Sequence, residues 1–267
     1  MSGNDIYEIF AIRYGSMDMR FRRDNFISDP HHDQPMPLDY FVWLIRNEDR
    51  AIVVDTGFDH AEAKDRGREL VRLPREGLAM MGVDARKVEN VIVSHMHYDH
   101  AGTLDDFPAA TFHLQEKEMN YATGRHMCSD PMGHAYSADH VCNMVRKNFE
   151  GRVAWHDGSR EIAPGISVHL IGGHTMGVQC VKVKTKRGDV VLASDAAHFY
   201  ENMQIPSPFI IVHSVADMVD GFAKMRDLAS SEDHIIPGHD PLVRQMYAAP
   251  SADLEGIVSR LDVDPVK

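Results

Sequence analysis

Apolar positions come in short runs separated by polar or proline-rich stretches, and their spacing predicts alternating strands and helices. Residues 5–14 read as a first strand. Residues 38–46 and 51–55 read as two more, divided by the polar turn Asn47-Glu48-Asp49-Arg50. Between them, 15–37 reads as a loop carrying Pro30, Pro35, Pro37 and the charged stretch Arg20-Phe21-Arg22-Arg23-Asp24. Helix formers fill 60–82, with Pro74 as an interruption. Val91-Ile92-Val93 reads as a short buried strand, followed by a loop from His95 to Gly102. Residues 111–115 then predict a strand and 116–122 a short helix.

An irregular insert spans about 123–150, with helical spacing over 137–149. It reads either as a lid over a site or as a surface excursion. Beyond it, 153–156, 166–171, 179–185 and 189–194 predict strands. Pro206 and Pro208 break the chain. Val215, Met218, Val219, Phe222, Met225 and Leu228 recur at three- and four-residue steps and predict an amphipathic helix over 214–229. Ile235-Ile236 reads as a short strand and about 251–261 as a final helix. Two groups of strands, each followed by helices, with no internal repeat, give one α/β domain over 1–267: two sheets covered by helices.

Composition narrows the function. The 267 residues carry 28 basic and 40 acidic side chains, a net charge of −12, which argues against nucleic acid as a general partner. No apolar run approaches the 18 residues of a membrane span, so no membrane partner is expected. The first residues lack the pattern of a signal peptide, and a cytoplasmic location is the expectation. Cys128, Cys142 and Cys180 are too scattered for a disulfide framework or a cysteine-type zinc site. Seventeen histidines are many, and imidazole is the commonest side-chain metal ligand.

Their spacing gives that number meaning. In Ser94-His95-Met96-His97-Tyr98-Asp99-His100-Ala101-Gly102, His95 and His97 face one side of an extended chain and can share an ion. Asp99 and His100 follow within one tight loop and can face a second. A solvated loop that binds nothing is the plain alternative, but burying such groups without a partner costs several kcal/mol each, on the order of 2–7. Three more pieces lie at later strand ends: Gly172-Gly173-His174-Thr175, Ser194-Asp195, and His239 after Ile235-Ile236. Taken singly, each reads as a cap or a surface group. Together they complete the five imidazoles and two carboxylates that a pair of divalent ions requires.

The order Asp55-Thr56-Gly57, His-x-His-x-Asp-His, Gly-His-Thr, Ser-Asp and Gly-His resembles the metallo-β-lactamase superfamily over nearly the whole chain. The resemblance implies a four-layered αββα sandwich with the metal site at one edge of its two sheets. It also implies that His95, His97 and His174 hold one ion, that Asp99, His100 and His239 hold another, and that Asp195 bridges them. Zinc is the first choice, with iron, manganese or cobalt also compatible with nitrogen and oxygen ligands. Asp55 matches an acidic residue that orients the ligand loop by hydrogen bonds.

Within the superfamily the sequence is most similar to the N-acyl-homoserine lactone lactonases, which quench quorum signals, and related small lactonases. These often carry a Tyr three residues after the bridging Asp. Here that position is His198, with Tyr200 two further on, so either is a candidate hydrogen-bond donor to the reacting carbonyl. The implied reaction is attack on a lactone carbonyl by hydroxide held between the ions, with Asp99 orienting the nucleophile and moving a proton. Arg20, Arg22 and Arg23 offer partners for a substrate carboxylate or amide, with a solvated face as the plainer reading. The implied partner is a small lactone or ester, and a homodimer is left open. Other ester, thioester or cyclic amide hydrolysis fits the same residues. A persulfide dioxygenase-like protein with a single iron is a further alternative, and a metal count per chain separates it from a two-ion hydrolase.

Overall fold

The computed structural model describes residues 5–266. Thirteen strands among them form two sheets. The first sheet contains β1 (Glu8–Met17), β2 (Leu38–Arg46), β3 (Ala51–Val54), β4 (Glu69–Leu70), β5 (Asn90–Ile92), β6 (Thr111–Gln115) and β7 (Val153–His156). The second contains β8 (Ser159–Ala163), β9 (Ile166–Leu170), β10 (Gln179–Thr185), β11 (Gly188–Ser194) and β12 (Ile235–Pro237), and β13 (Val258–Arg260) returns to the first. The orders are β13-β1-β2-β3-β5-β6-β7, with β4 also on β1, and β12-β11-β10-β9-β8. Strands β3, β5, β6 and β7 run parallel, as do β11 and β12, while the hairpin strands are antiparallel.

Three apolar layers hold the sheets. Ile9, Ala11, Trp43 and Ile45 on one sheet meet Val168, Val181, Val190 and Leu192 on the other. The opposite face of the first sheet, with Phe10, Ile12, Val42, Leu44 and Phe112, is covered by α1 (His60–Arg66), α2 (Pro74–Met80), α3 (Glu116–Ala122) and, past the short turn α4 (Asp130–Gly133), by α5 (Ala138–Phe149). Outside the second sheet, Cys180, Val191 and Ala193 pack under α6 (Tyr200–Gln204) and α7 (Val215–Leu228), and α8 (Leu242–Met246) follows β12. This is the αββα arrangement. Burial on both faces explains why Phe41-Val42-Trp43-Leu44-Ile45 shows no polar alternation.

Several boundaries differ from the sequence reading. The first helix of 60–82 stops at Gly67, not at Pro74, because Gly67 takes the left-handed C-cap conformation at φ 63°. Residues 69–70 then pair with β1, and Pro74 opens α2 as its first residue. The expected final helix over 251–261 is absent: a short turn at Ala252–Leu254 leads into β13, where Val258 pairs with Ile12. The free edge of β1 decides this, since pairing there buries Val258. In α7, Met218, Phe222 and Met225 are buried, whereas Val215 and Val219 remain on the outer side. The polar edge strand β8 had no apolar signal to announce it. No helix of the described residues is long and apolar enough to cross a membrane.

Candidate metal centre

The candidate residues sit where strands end. Asp55 follows β3, Ser94 and the histidine loop follow β5, His174 follows β9, Asp195 follows β11 and His239 follows β12. Parallel strands deliver their carboxyl ends to one edge, so residues up to 184 positions apart in the chain (Asp55 to His239) meet there. His95, His97, His174 and Asp195 are all buried and offer ligand atoms within 4.8 Å of one another; so do Asp99, His100 and His239.

Asp195 joins the two sets through different oxygens. Its Oδ2 lies 3.2 Å from His174 Nε2 and 3.6 Å from His95 Nε2. Its Oδ1 lies 3.0 Å from His239 Nε2 and 3.2 Å from His100 Nε2. The Nε2 atoms of His95 and His100 are buried without a hydrogen-bond partner. Unpartnered buried imidazole nitrogens beside a carboxylate fit metal ligation, which would remove that desolvation cost. Burial, reinforced by neighbouring imidazoles, pushes His95 and His97 well below the usual histidine range. They are therefore neutral and carry the lone pair that ligation needs. Burial opposes ionisation of Asp99 and Asp195, but the surrounding histidines outweigh it and hold both as carboxylates.

The imidazoles are aimed from behind. His239 Nδ1 donates to the Asp39 carbonyl at 2.8 Å and His174 Nδ1 to the Ile211 carbonyl at 2.7 Å, which turns each Nε2 into the cluster, against Asp195 Oδ1 at 3.0 Å and His97 Nδ1 at 2.9 Å. His100 Nδ1 lies 2.7 Å from Asp55 Oδ2. Asp55 also accepts from the Ser94 backbone N–H at 2.7 Å and the Ser94 hydroxyl at 2.8 Å. Asp55 and Ser194 both adopt positive φ, 62° and 46°, a strained backbone held by this network.

A second organiser escaped the sequence reading. Glu118, in α3, is fully buried. It accepts from Met96 N–H and Tyr136 O–H, both at 2.9 Å, from the Thr175 hydroxyl at 2.5 Å and from Gly177 N–H at 3.1 Å. One carboxylate thus ties the His95/His97 loop, the His174 loop and the insert together. A helix-forming Glu in a short helix has no motif that could have marked it.

The two candidate donors part company. His198 joins the cluster: its Nε2 is 3.0 Å from Asp195 Oδ2 and its ring stacks on Phe209 at 3.6 Å. Asp195, His198 and His239 form a third set able to hold an ion. Burial pushes His198 down to about 3, so the ring is neutral. If Nε2–H is given to Asp195, Nδ1 is left as an acceptor, which does not suit an oxyanion donor. Tyr200 packs instead near Tyr247, away from the residues lining the metal cavity. Two other hydroxyls line that cavity, Tyr40 and Tyr98, 2.9 Å apart.

The cavity beside the cluster is small, about 60 Å³, and Arg20, Arg66, Arg68, His134 and Ala135 help to wall it. The first half of the insert is therefore part of the wall. It is fastened there by Tyr98 N–H to the Ala135 carbonyl at 2.9 Å and by Arg66 to the carbonyls of His134 and Tyr136 at 2.6 and 3.1 Å.

Comparison with known proteins adds relatives to this geometry. The Metallo-beta-lactamase superfamily matches residues 36–249. An N-acyl homoserine lactonase from Bacillus sp is 26% identical over 221 residues, covering 76% of this chain and 82% of the relative. The N-acyl homoserine lactonase AttM of Azorhizobium caulinodans is 27% identical over 174 residues, covering 60% of this chain and 61% of its own. Among solved structures, a quorum-quenching N-acyl homoserine lactone lactonase superposes with a TM-score of 0.74 at 20% identity, covering 91% of this chain and 95% of its own. An N-acyl homoserine lactone hydrolase with N-hexanoyl-L-homoserine at its catalytic metal centre also gives 0.74, at 19% identity over 90% and 96% of the two chains.

Proposed function

This chain belongs to the metallo-beta-lactamase superfamily, and on that footing we propose that it is a di-metal hydrolase that opens the ring of a small lactone. The observation that carries the reading is Asp195, with one carboxylate oxygen against His95 and His174 and the other against His100 and His239. His95, His97 and His174 would hold one divalent ion, Asp99, His100 and His239 the second, and Asp195 both. Zinc suits these donors best. When bound, such a pair supplies Lewis acidity, ionising water near neutral pH and polarising a carbonyl oxygen.

The chain's own groups supply the rest. Asp99 lines the cavity, where its carboxylate orients the attacking water, takes a proton from it and passes that proton to the departing ring oxygen. Tyr40 and Tyr98 share two hydroxyl hydrogens and one mutual hydrogen bond, so one O–H remains for the substrate carbonyl. Burial, with the nearby Asp99 charge, pushes Tyr40 up to about 12, and it keeps its proton. His198 steadies Asp195. No side chain needs to act as a covalent nucleophile, because water attacks. The ring oxygen stays tethered, and the product is a hydroxy acid.

The test is a pH-stat assay of zinc-loaded protein on acyl-homoserine, aromatic and simple lactones, alongside elemental analysis. About two metal ions per chain and ring opening that falls about 100-fold or more in Asp99→Asn are expected, the size of a lost acid–base group. No ring opening across the panel would remove the lactonase reading. A single iron with oxygen uptake would replace hydrolysis by oxidation.

A further inference from the structure

We propose that the lactone this site opens carries a carboxylate, received by the guanidiniums of Arg20 and Arg68; the proposal rests on the lactone-hydrolase reading and specifies its substrate class. The chain is acidic overall, and many of its arginines are neutralised. Arg22 bonds to Asp29 and Glu201, Arg23 to Asp33, Arg66 to Glu62 and Arg244 to Asp39. Arg20 and Arg68 both line the metal cavity, and among the described residues neither has a carboxylate within ion-pair distance.

Their hydrogen bonds go to neutral groups. Arg20 Nε donates to Asn25 Oδ1 at 2.5 Å and a terminal nitrogen to the Asp24 carbonyl, while the guanidinium lies over Phe209 at 5.0 Å. Arg68 Nε donates to Tyr98 Oη at 3.0 Å and Nη1 to the Arg66 carbonyl at 2.7 Å. These bonds fix the planes without an ion pair, although the Asp99 charge on the same cavity wall favours the Arg68 cation. Burial lowers the Arg20 pKa, and Arg68 repels it further. Both guanidiniums line the same cavity as the Tyr40 ring. Two half-buried like charges on the wall of one cavity, neither in an ion pair, favour an anionic ligand there. The planar fork of Arg suits a carboxylate.

Location ties this spot to the chemistry. Tyr98 accepts from Arg68, its hydroxyl meets Tyr40, and the Tyr40 ring packs edge-on against His239 at 5.4 Å. Phe209, beneath Arg20, stacks on His198. Among the described residues, the only acidic ones on the cavity wall, Asp99 and Asp195, belong to the candidate metal set. The cavity is small, about 60 Å³. Ring opening then adds water across the ester C–O bond: the acyl carbon takes the hydroxyl, the ring oxygen takes a proton, and the new acid ionises, so a monoanionic lactone leaves as a hydroxy dicarboxylate.

The experiment compares γ-butyrolactone-γ-carboxylate with its neutral carboxamide on zinc-loaded full-length protein. Wild type should prefer the carboxylate in kcat/KM by about tenfold or more, chiefly through KM, as a charge-assisted bond lost or gained implies. That preference should fall toward one in Arg20→Gln and in Arg68→Gln and be partly retained in Arg68→Lys, with thermal melts reporting whether each variant folds. Calorimetry with 2-hydroxyglutarate, the ring-opened product, gives a readout independent of turnover: binding should weaken about tenfold or more in both Gln variants. Equal wild-type rates on the two lactones, or binding indifferent to both arginines, overturns the proposal. Arg-dependent binding with neither lactone opened keeps the anion subsite and removes the lactone reading instead.

Discussion

Asp55 makes three bonds to Ser94 and His100 and is fully buried, so its charge is spent on aiming the loop that carries most of the candidate ligands. In Asp55→Asn the amide nitrogen would face N–H or O–H donors, and His100 would lose its charged partner. Metal affinity, measured by chelator competition, should fall about 10–100-fold while the chain stays folded. Unchanged affinity would show that Asp55 only terminates β3. This role was legible from Asp55-Thr56-Gly57, because a short motif carries its own spacing. Glu118 and Tyr40 were not legible, since each becomes part of the site only by packing across elements; Tyr98 sits within the histidine loop, but its meeting with Tyr40 and Arg68 depends on that packing. Tyr200 shows the opposite failure: near Asp195 in sequence, it starts α6, and its side chain is carried away from the cavity.

Between elements, the His174 loop makes a close approach to α3 at Gly177. A Cβ at Gly177 would lie 2.1 Å from the Glu118 backbone nitrogen and 2.4 Å from its Cα. Backbone cannot yield there as a flexible side chain could, so Gly177→Ala should cost more than about 3 kcal/mol in denaturant unfolding, beyond ordinary overpacking. Gly82→Ala serves as the control: φ is 75° but nothing lies within 4 Å, and about 1–2 kcal/mol of backbone strain is expected. Equal losses in the two variants would contradict this account of the joint. Elements with internal pattern, such as β2 and α3, match their sequence boundaries. Elements defined by a neighbour's edge, β8 and β13, do not, and the expected helix at 251–261 gave way to pairing with β1.

Across the whole molecule, stability should carry an acid-side signature from a row of groups on β5, β6 and β7. His113 lies 3.1 Å from His156 and 3.0 Å from Asn90 Oδ1, and burial, helped by His156, pushes it down to about 4. The unfolded chain protonates this ring near pH 6.5 and the folded chain only near 4, so the unfolded state binds the extra proton in between. The contribution is complete above about pH 6.5 and is lost as pH falls toward 4, by at most about 3 kcal/mol. Unfolding titrations at pH 7, 5.5 and 4.5 should show a shallower pH dependence for His113→Gln than for wild type. Identical slopes would place the acid sensitivity elsewhere.

The chain by itself determined the layers and marked the candidate ligands. Apolar periodicity records which faces are buried, and His-x-His-x-Asp-His places its donors within the reach of one loop. Tertiary structure alone decided which hydroxyls reach the cavity, that the insert forms part of its wall, and that Arg20 and Arg68 line it while Arg22 and Arg23 find carboxylates. The reason is physical: a local pattern encodes a residue's own burial and direction, whereas pairing and charge compensation depend on groups brought near only when the sheets close.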